Sequence, residues 1–301
     1  MNSLLKKIRT LRKRISTKIR NAKHAKFIHR HVEYMRRIGV NMYKDNLKSG
    51  ERYLNPKILS KYGKKLYSQN EEDGIILEIF NRIGTTNKIF VEFGIGDGLE
   101  NNTLALLFQG WKGLWLEGSA SSVNSINDHF KSVLDTKQLQ ITEAFITKDN
   151  INELISSKIK EKEIDLLSVD IDGNDVHIFN EISVINPRVV IIEYNAKFFP
   201  PIMFTVDYNP THMWQGDDYM GVSLKYLEVD FAKKGYKLVG CDIAGVNAFF
   251  VREDLVGDKF LTPYTAEEHY EPVRYHLLAT NPSPTYQAID KILTSCVKNN
   301  R

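Results

Sequence analysis

Four carboxylates in this chain each follow a short apolar run. Glu92 follows Ile89-Phe90-Val91, Glu117 follows Leu114-Trp115-Leu116, Asp170 follows Leu166–Val169, and Glu193 follows Val189–Ile192. Runs of this length, bounded by glycine and polar residues, read as buried strands. Carboxylates at their ends would gather at one edge of a sheet, where open α/β folds bind ligands. Between the first two lie Gly94, Gly96 and Gly98. Such a turn lets backbone approach a ligand closely, and an acid about twenty residues later can accept hydrogen bonds from ribose hydroxyls. The dinucleotide spacing G-x-G-x-x-G is not kept, since Gly98 comes two residues after Gly96. Glu92 before the turn would repel a pyrophosphate but suits an ammonium group. A ribose joined to a zwitterionic amino acid fits this pattern, and it points to S-adenosylmethionine.

The elements that must hold these residues follow from the pattern around them. Thr103–Phe108 predicts a helix, with Asn101 or Asn102 as its N-cap. Ser68, three residues before Glu71, predicts a capping box ahead of Ile75–Phe80. Ser121–Leu134, Asn152–Lys160 and Ser223–Lys234 read as helices and Gln138–Ile146 as a strand; Tyr236–Cys241 and Asn247–Val251 read as a hairpin. Strands alternating with helices imply βαβ units. The predicted fold class is α/β: a mostly parallel seven-stranded, Rossmann-like sheet of the class I methyltransferase plan, with a C-terminal β-hairpin and N-terminal helices. Residues 197–220 carry tandem prolines, six aromatics and His212, the signature of a binding loop or lid.

Composition sets outer bounds. At 301 residues, 42% hydrophobic and 26% charged, the chain can bury a sizeable core. Cys241 and Cys296 have no zinc spacing and read as reduced thiols. No apolar run has the length of a membrane span, and no secretory h-region is present. The expected location is cytoplasmic, with peripheral attachment to the inner membrane as an option.

The basic excess is concentrated at the N-terminus. Residues 1–37 hold thirteen Lys and Arg against one acid, Glu33. Leu4, Ile8, Leu11, Ile15, Ile19 and Ala22 recur at helical spacing. The segment reads as a basic amphipathic helix for an anionic membrane surface or polyanion, or equally for packing on its own domain or a second copy in a homo-oligomer. Nucleic acid ranks below these, because no reading motif accompanies the charge. The domains expected are a basic helical segment over 1–45, a methyltransferase domain over 46–255 and an extension over 256–301.

The stretches YSQNEEDGII (67–76), VEFGIGDGLENNT (91–103), GLWLEG (113–118), LLSVDIDGND (166–175) and VVIIEYNA (189–196), with GVSLKYL, GYKLVG and GVNAFFV over 221–251, carry a resemblance. In these the chain resembles FkbM-type S-adenosylmethionine-dependent methyltransferases. The resemblance implies cofactor contacts from Glu92, Gly94, Gly96 and Gly98, with Glu117 on the ribose. Gln69, Asn102, Thr103 and Gly118 lie in the same stretches and are taken with them. Ala144 and Phe145 would lie near the adenine, and Asp170 beside the methyl group and the acceptor. Related sugar and catechol enzymes hold Mg²⁺, so Asp170, Asp172, Glu193 and Asn195 are candidate ligands for Mg²⁺ or Mn²⁺. The alternative reading of 172–175 is a turn of Asx residues. Candidate general bases are Asp170, Asp172 and His212.

The expected activity is O-methylation of a saccharide or glycolipid acceptor in a surface-polysaccharide pathway. The alternatives are methylation of a small metabolite, a phosphate-type group or a nitrogen, and a non-catalytic module that binds S-adenosylmethionine at a membrane surface.

Overall fold

The structure, a computed structural model, describes the backbone of residues 2–277 and 286–299 and the side chains of 24–277 and 288–296. Its sheet contains β1 (Ile89–Phe93), β2 (Lys112–Glu117), β3 (Leu139–Glu143), β4 (Glu163–Val169), β5 (Asn186–Glu193), β6 (Tyr236–Cys241) and β7 (Asn247–Arg252). The seven strands lie in the order β3-β2-β1-β4-β5-β7-β6. Strands β1 to β5 are parallel, and β7 runs antiparallel between β5 and β6. This is the mostly parallel, Rossmann-like seven-stranded sheet with a C-terminal β-hairpin that the sequence predicts.

Alternation along β1 shows why these strands read as near-continuous apolar runs. Ile89, Val91 and Phe93 enter one core cluster, with Ile155, Val176 and Phe231 from the helices Ile151–Lys158, Asp175–Glu181 and Leu224–Lys233. Phe90 and Trp115 enter the other, with Ile76, Leu104 and Ile126 from the helices Glu72–Ile83, Leu104–Leu107 and Ala120–His129. Helices cover both faces of the sheet, so its central strands are buried on both sides.

Two local expectations are corrected. Residues 121–134 do not form one helix but two, Ala120–His129 and Lys131–Asp135. Fully buried Phe130 leaves helical geometry between them and sets its ring edge-on against Trp115, 5.4 Å away. The Ser68–Glu71 capping box does not form. Asp73 replaces it, with Oδ2 accepting from the amides of Leu66, Tyr67 and Ser68 and from the Ser68 hydroxyl. Glu71 is drawn instead to Lys44 (3.1 Å) and Lys48 (2.9 Å) of the N-terminal helix α1 (Asn2–Lys48).

Those pairs root α1 on the domain, together with Val40, which is buried. The predicted apolar stripe from Leu4 to Ala22 lies outside the described side chains. Near the other end of the chain, Phe260, Ile289 and Leu293 bury themselves in the cluster around Trp115. Among the described residues, no helix is long and apolar enough to cross a membrane.

The edge of the sheet away from the carboxylate ends is tied by one buried ion pair. Asp165 of β4 accepts from the amides of Thr86, Asn87 and Lys88 and pairs with Arg188 Nη1 at 2.7 Å. Arg188 also donates to the carbonyls of Ile83 and Gly84, where the helix Glu72–Ile83 ends. One guanidinium and one carboxylate thus fix the turn that feeds β1.

Candidate active site

The strand order reverses between β1 and β4, and the loops leaving their carboxyl ends open a cleft there, as doubly wound sheets require. The cleft holds about 960 Å³. Of the predicted residues, Gln69, Gly94, Gly96, Glu117, Gly118, Ala144, Phe145, Asp170, Asp172, Glu193, Asn195 and His212 all line it. Glu92, Gly98, Asn102 and Thr103 are not among its walls.

Glycines at the turn act in different ways. A Cβ on Gly94 would stand 1.6 Å from the Asp170 carbonyl oxygen, so only glycine lets β1 pass the end of β4. Gly96, at φ +54°, has open space where a side chain would be, and its amide donates to Glu117 Oε2 at 2.9 Å. The other Glu117 oxygen accepts from the Ser119 amide at 2.8 Å. Each carboxylate oxygen keeps capacity for a further donor. The wall therefore offers bare backbone, two aligned acceptors and, beyond Ala144, the half-exposed ring of Phe145. A ribose diol on Glu117 with a purine against Phe145 matches this chemistry.

Glu92 has a different place from the one expected. It is buried, with Oε1 accepting from the Asn102 amide (2.8 Å) and Oε2 from the amide and hydroxyl of Thr103. Strand alternation puts its side chain on the Phe90 side of the sheet, turned away from the cleft. There it caps the short helix Leu104–Leu107 together with Asn101, whose Oδ1 accepts from the Leu104 amide. The expected ammonium contact from Glu92 is corrected accordingly. Asn102 and Thr103 belong to this same cap, and Gly98 exists to clear Trp115 and Ile126, 3.1 Å from a notional Cβ.

Across the cleft, Asp170, Asp172 and Glu193 present carboxylate oxygens that all lie within 4.8 Å of one another. Glu193 Oε2 is buried without a hydrogen-bond partner. Burial, reinforced by their neighbouring acids, pushes both Asp170 and Glu193 well above the usual carboxylate range. Three converging oxygens fit a hard divalent cation. Asn195 does not offer itself as a fourth ligand. Its Nδ2 donates to the carbonyls of Asp218 and Met220, and its Oδ1 accepts from the Lys197 amide, which fixes the base of the long loop. Asp175 is the turn-former of the acidic run, accepting from the amides of Ile171 and Gly173.

The loop 197–220 closes one side of the cleft, with His212 reaching the turn after β4. Its Nε2 donates to the Asp172 carbonyl at 3.0 Å, so a role as base would fall to Nδ1. Asn174 holds the same loop through the Asn209 carbonyl at 2.7 Å. Lys197 and Trp214, within the stretch expected to be a binding loop, also line the cleft, as does Tyr275, which was not foreseen. Tyr275 comes from the 256–301 segment, where no motif marked it.

The buried acids make stability depend on pH. Burial raises Glu92 from 4.5 to about 7, against the opposing effect of its hydrogen bonds with Thr103, Asn102 and Ser168. A carboxyl raised in the fold contributes stability that is fully present below its unfolded value and is lost as pH rises through its folded value. Asp175, raised by burial to about 6, acts in the same sense. The protein without ligands should lose on the order of 4 kcal/mol from these two groups between about pH 5 and pH 7.5. Melting curves across that range check this. A rise in melting temperature toward pH 7.5 would contradict it.

No family model matches the chain, and no curated protein matches it. Among solved structures, it is similar to the methyltransferase domain of bacterial CtHen1-C, at 15% identity over 61% of this chain and 97% of that one, TM-score 0.40. It is also similar to the glycopeptide N-methyltransferase MtfA complexed with (S)-adenosyl-L-homocysteine, at 10% identity over 64% of this chain and 90% of that one, TM-score 0.38.

Proposed function

We propose that this protein is an S-adenosylmethionine-dependent methyltransferase. The observation that carries the reading is Glu117, held by the Gly96 and Ser119 amides at the strand-order reversal, facing a glycine turn with no side chain to fill it. Bound there, the cofactor supplies an electrophilic methyl group. The Gly94–Gly96 backbone and Glu117 orient it, and Phe145 shields the base.

The acceptor side is lined by carboxylates and by the rings of Trp214 and Tyr275. Carboxylates accept from hydroxyls, and aromatic faces pack on the apolar faces of a sugar ring. A saccharide or glycolipid hydroxyl is the proposed acceptor. Its oxygen would bond to the methyl carbon as the carbon–sulfur bond breaks, and with no cation held at the acidic cluster its proton would pass to Asp170, whose carboxyl burial and neighbouring acids push above the usual range. The products are the methyl ether and S-adenosylhomocysteine. Asp170, Asp172 and Glu193 would hold a divalent cation, whose chemistry is to lower the pKa of a bound hydroxyl. The narrower FkbM-type assignment rests on the motif stretches between Tyr67 and Val251.

Calorimetry with S-adenosylhomocysteine, with Mg²⁺ and again with EDTA, tests the cofactor reading; micromolar binding is expected. No binding in either condition would sink it. A cation effect on acceptor turnover separates metal-assisted from purely carboxylate-assisted deprotonation.

A further inference from the structure

We infer that Asp170 and Glu193 make the cleft selective for the charged cofactor over its spent, neutral form. The inference rests on the methyltransferase reading and goes beyond it. Methyl transfer turns a sulfonium into a thioether, so S-adenosylmethionine and S-adenosylhomocysteine differ by one positive charge and one methyl group. What the cleft places around that charge decides which of the two it holds.

The backbone sets the position. Gly94 lies against the Asp170 carbonyl, and Gly94, Gly96 and Glu117 line the wall assigned to the cofactor. A cofactor laid along Gly94 with its ribose at Glu117 passes beside Asp170, whose carboxylate converges with those of Asp172 and Glu193. Acids continue behind this group, since Glu72, Glu92, Asp175 and Asp242 are all buried. Burial first, then the charges of Asp175, Asp172, Glu92 and Glu72, hold the Asp170 carboxyl above its usual range. Burial acts likewise on Glu193, with Asp170, Asp175, Asp172 and Asp242 adding to it. Positive charge to offset these acids is missing nearby. Among the described residues the buried Lys and Arg side chains are Lys44 and Arg188, committed to Glu71 and to Asp165. At the cleft, Lys197 pairs with Asp218, and Lys65 pairs with the lining residue Glu100. Glu193 Oε2 is buried without a hydrogen-bond partner. Carboxylates in this setting gain from a cation placed beside them, and a thioether offers none. Because the group is enclosed, salt screens the attraction only weakly.

The test is calorimetry on the full chain in EDTA with S-adenosylmethionine, S-adenosylhomocysteine and sinefungin, which carries an ammonium in place of the sulfonium. Both cationic ligands should bind at least about tenfold tighter than S-adenosylhomocysteine, with little change in that ratio between low and high salt. In Asp170→Asn/Glu193→Gln the ratio should fall to about threefold or less, through lost affinity for the cations. Wild-type binding of S-adenosylhomocysteine as tight as that of S-adenosylmethionine overturns the inference and leaves the methyltransferase reading standing. A preference that survives the double variant overturns it too, by placing its origin elsewhere. Sinefungin bound no tighter than S-adenosylhomocysteine has the same force, because the methyl group and not the charge would then be recognised. If the variant does not fold, the comparison of ligands on the wild type decides alone. Failure of all these ligands to bind removes the methyltransferase reading itself, and the inference with it.

Discussion

Glu117→Ala should abolish S-adenosylhomocysteine binding in the micromolar range while leaving the protein folded. The carboxylate reaches the cleft with both oxygens already aligned by the Gly96 and Ser119 amides. A diol on these oxygens makes charge-assisted hydrogen bonds of about 1.5–3 kcal/mol each. Losing the pair costs at least about 3 kcal/mol, roughly a hundredfold in affinity. The amides left behind open on the cleft and can take water, so stability should fall by only about 1 kcal/mol. Glu117→Gln keeps an acceptor but loses the charge and should fall between the two. Calorimetry on all three proteins, with melting curves alongside, reads both quantities. Unchanged affinity in Glu117→Ala would remove the central residue of the proposed site.

Asp165→Ala is expected to have the opposite profile. Its carboxylate is fully buried and accepts from three backbone amides, the Thr86 hydroxyl and Arg188. Removing it orphans the amides and leaves the Arg188 guanidinium buried without its counter-charge. Breaking a buried pair from one side costs about 3–5 kcal/mol. Arg188 and these donors hold Asp165 below the ordinary carboxylate range, although burial pushes the other way. Its contribution is therefore present at neutral pH and lost in acid, the reverse of Glu92. Denaturant unfolding should show the loss, and the protein that remains folded should keep its cofactor affinity. A double variant lacking Arg188 as well should be less destabilised than the sum of the singles. A change under about 1 kcal/mol in Asp165→Ala would show that the pair is not needed to fix the turn before β1.

The site was legible where chemistry and local pattern coincide. The run Ile89–Phe93 into Gly94 and Gly96 could be read because a strand buried on both faces leaves a continuous apolar signal. Glu117 and Asp170 followed from the rule that ligands meet strand ends. Glu92 was misplaced because a carboxylate at a strand end can face either side of the sheet. The alternation of Ile89, Val91 and Phe93 against Phe90 and Glu92 held the answer. The Asp165–Arg188 pair joins residues 23 apart on two strands, and no periodicity marks such a contact. Tyr275 enters the cleft from a segment without a regular pattern. Ser68 suggested a capping box, yet the two lysines of α1 draw Glu71 away. Glu92 apart, each of these misses involves a partner distant in sequence.

The tethering of the loop 197–220 has a kinetic meaning. His212 grips the Asp172 carbonyl, Asn174 grips Asn209, and Asn195 grips Asp218 and Met220, so the loop is fastened to the same turns that carry the acidic side chains. It cannot swing open without disturbing the groups proposed to take up the proton. Admission, deprotonation and departure then share one mechanical gate. Turnover in such an enzyme would be timed by unfastening, with a slow release of product after a rapid first methyl transfer.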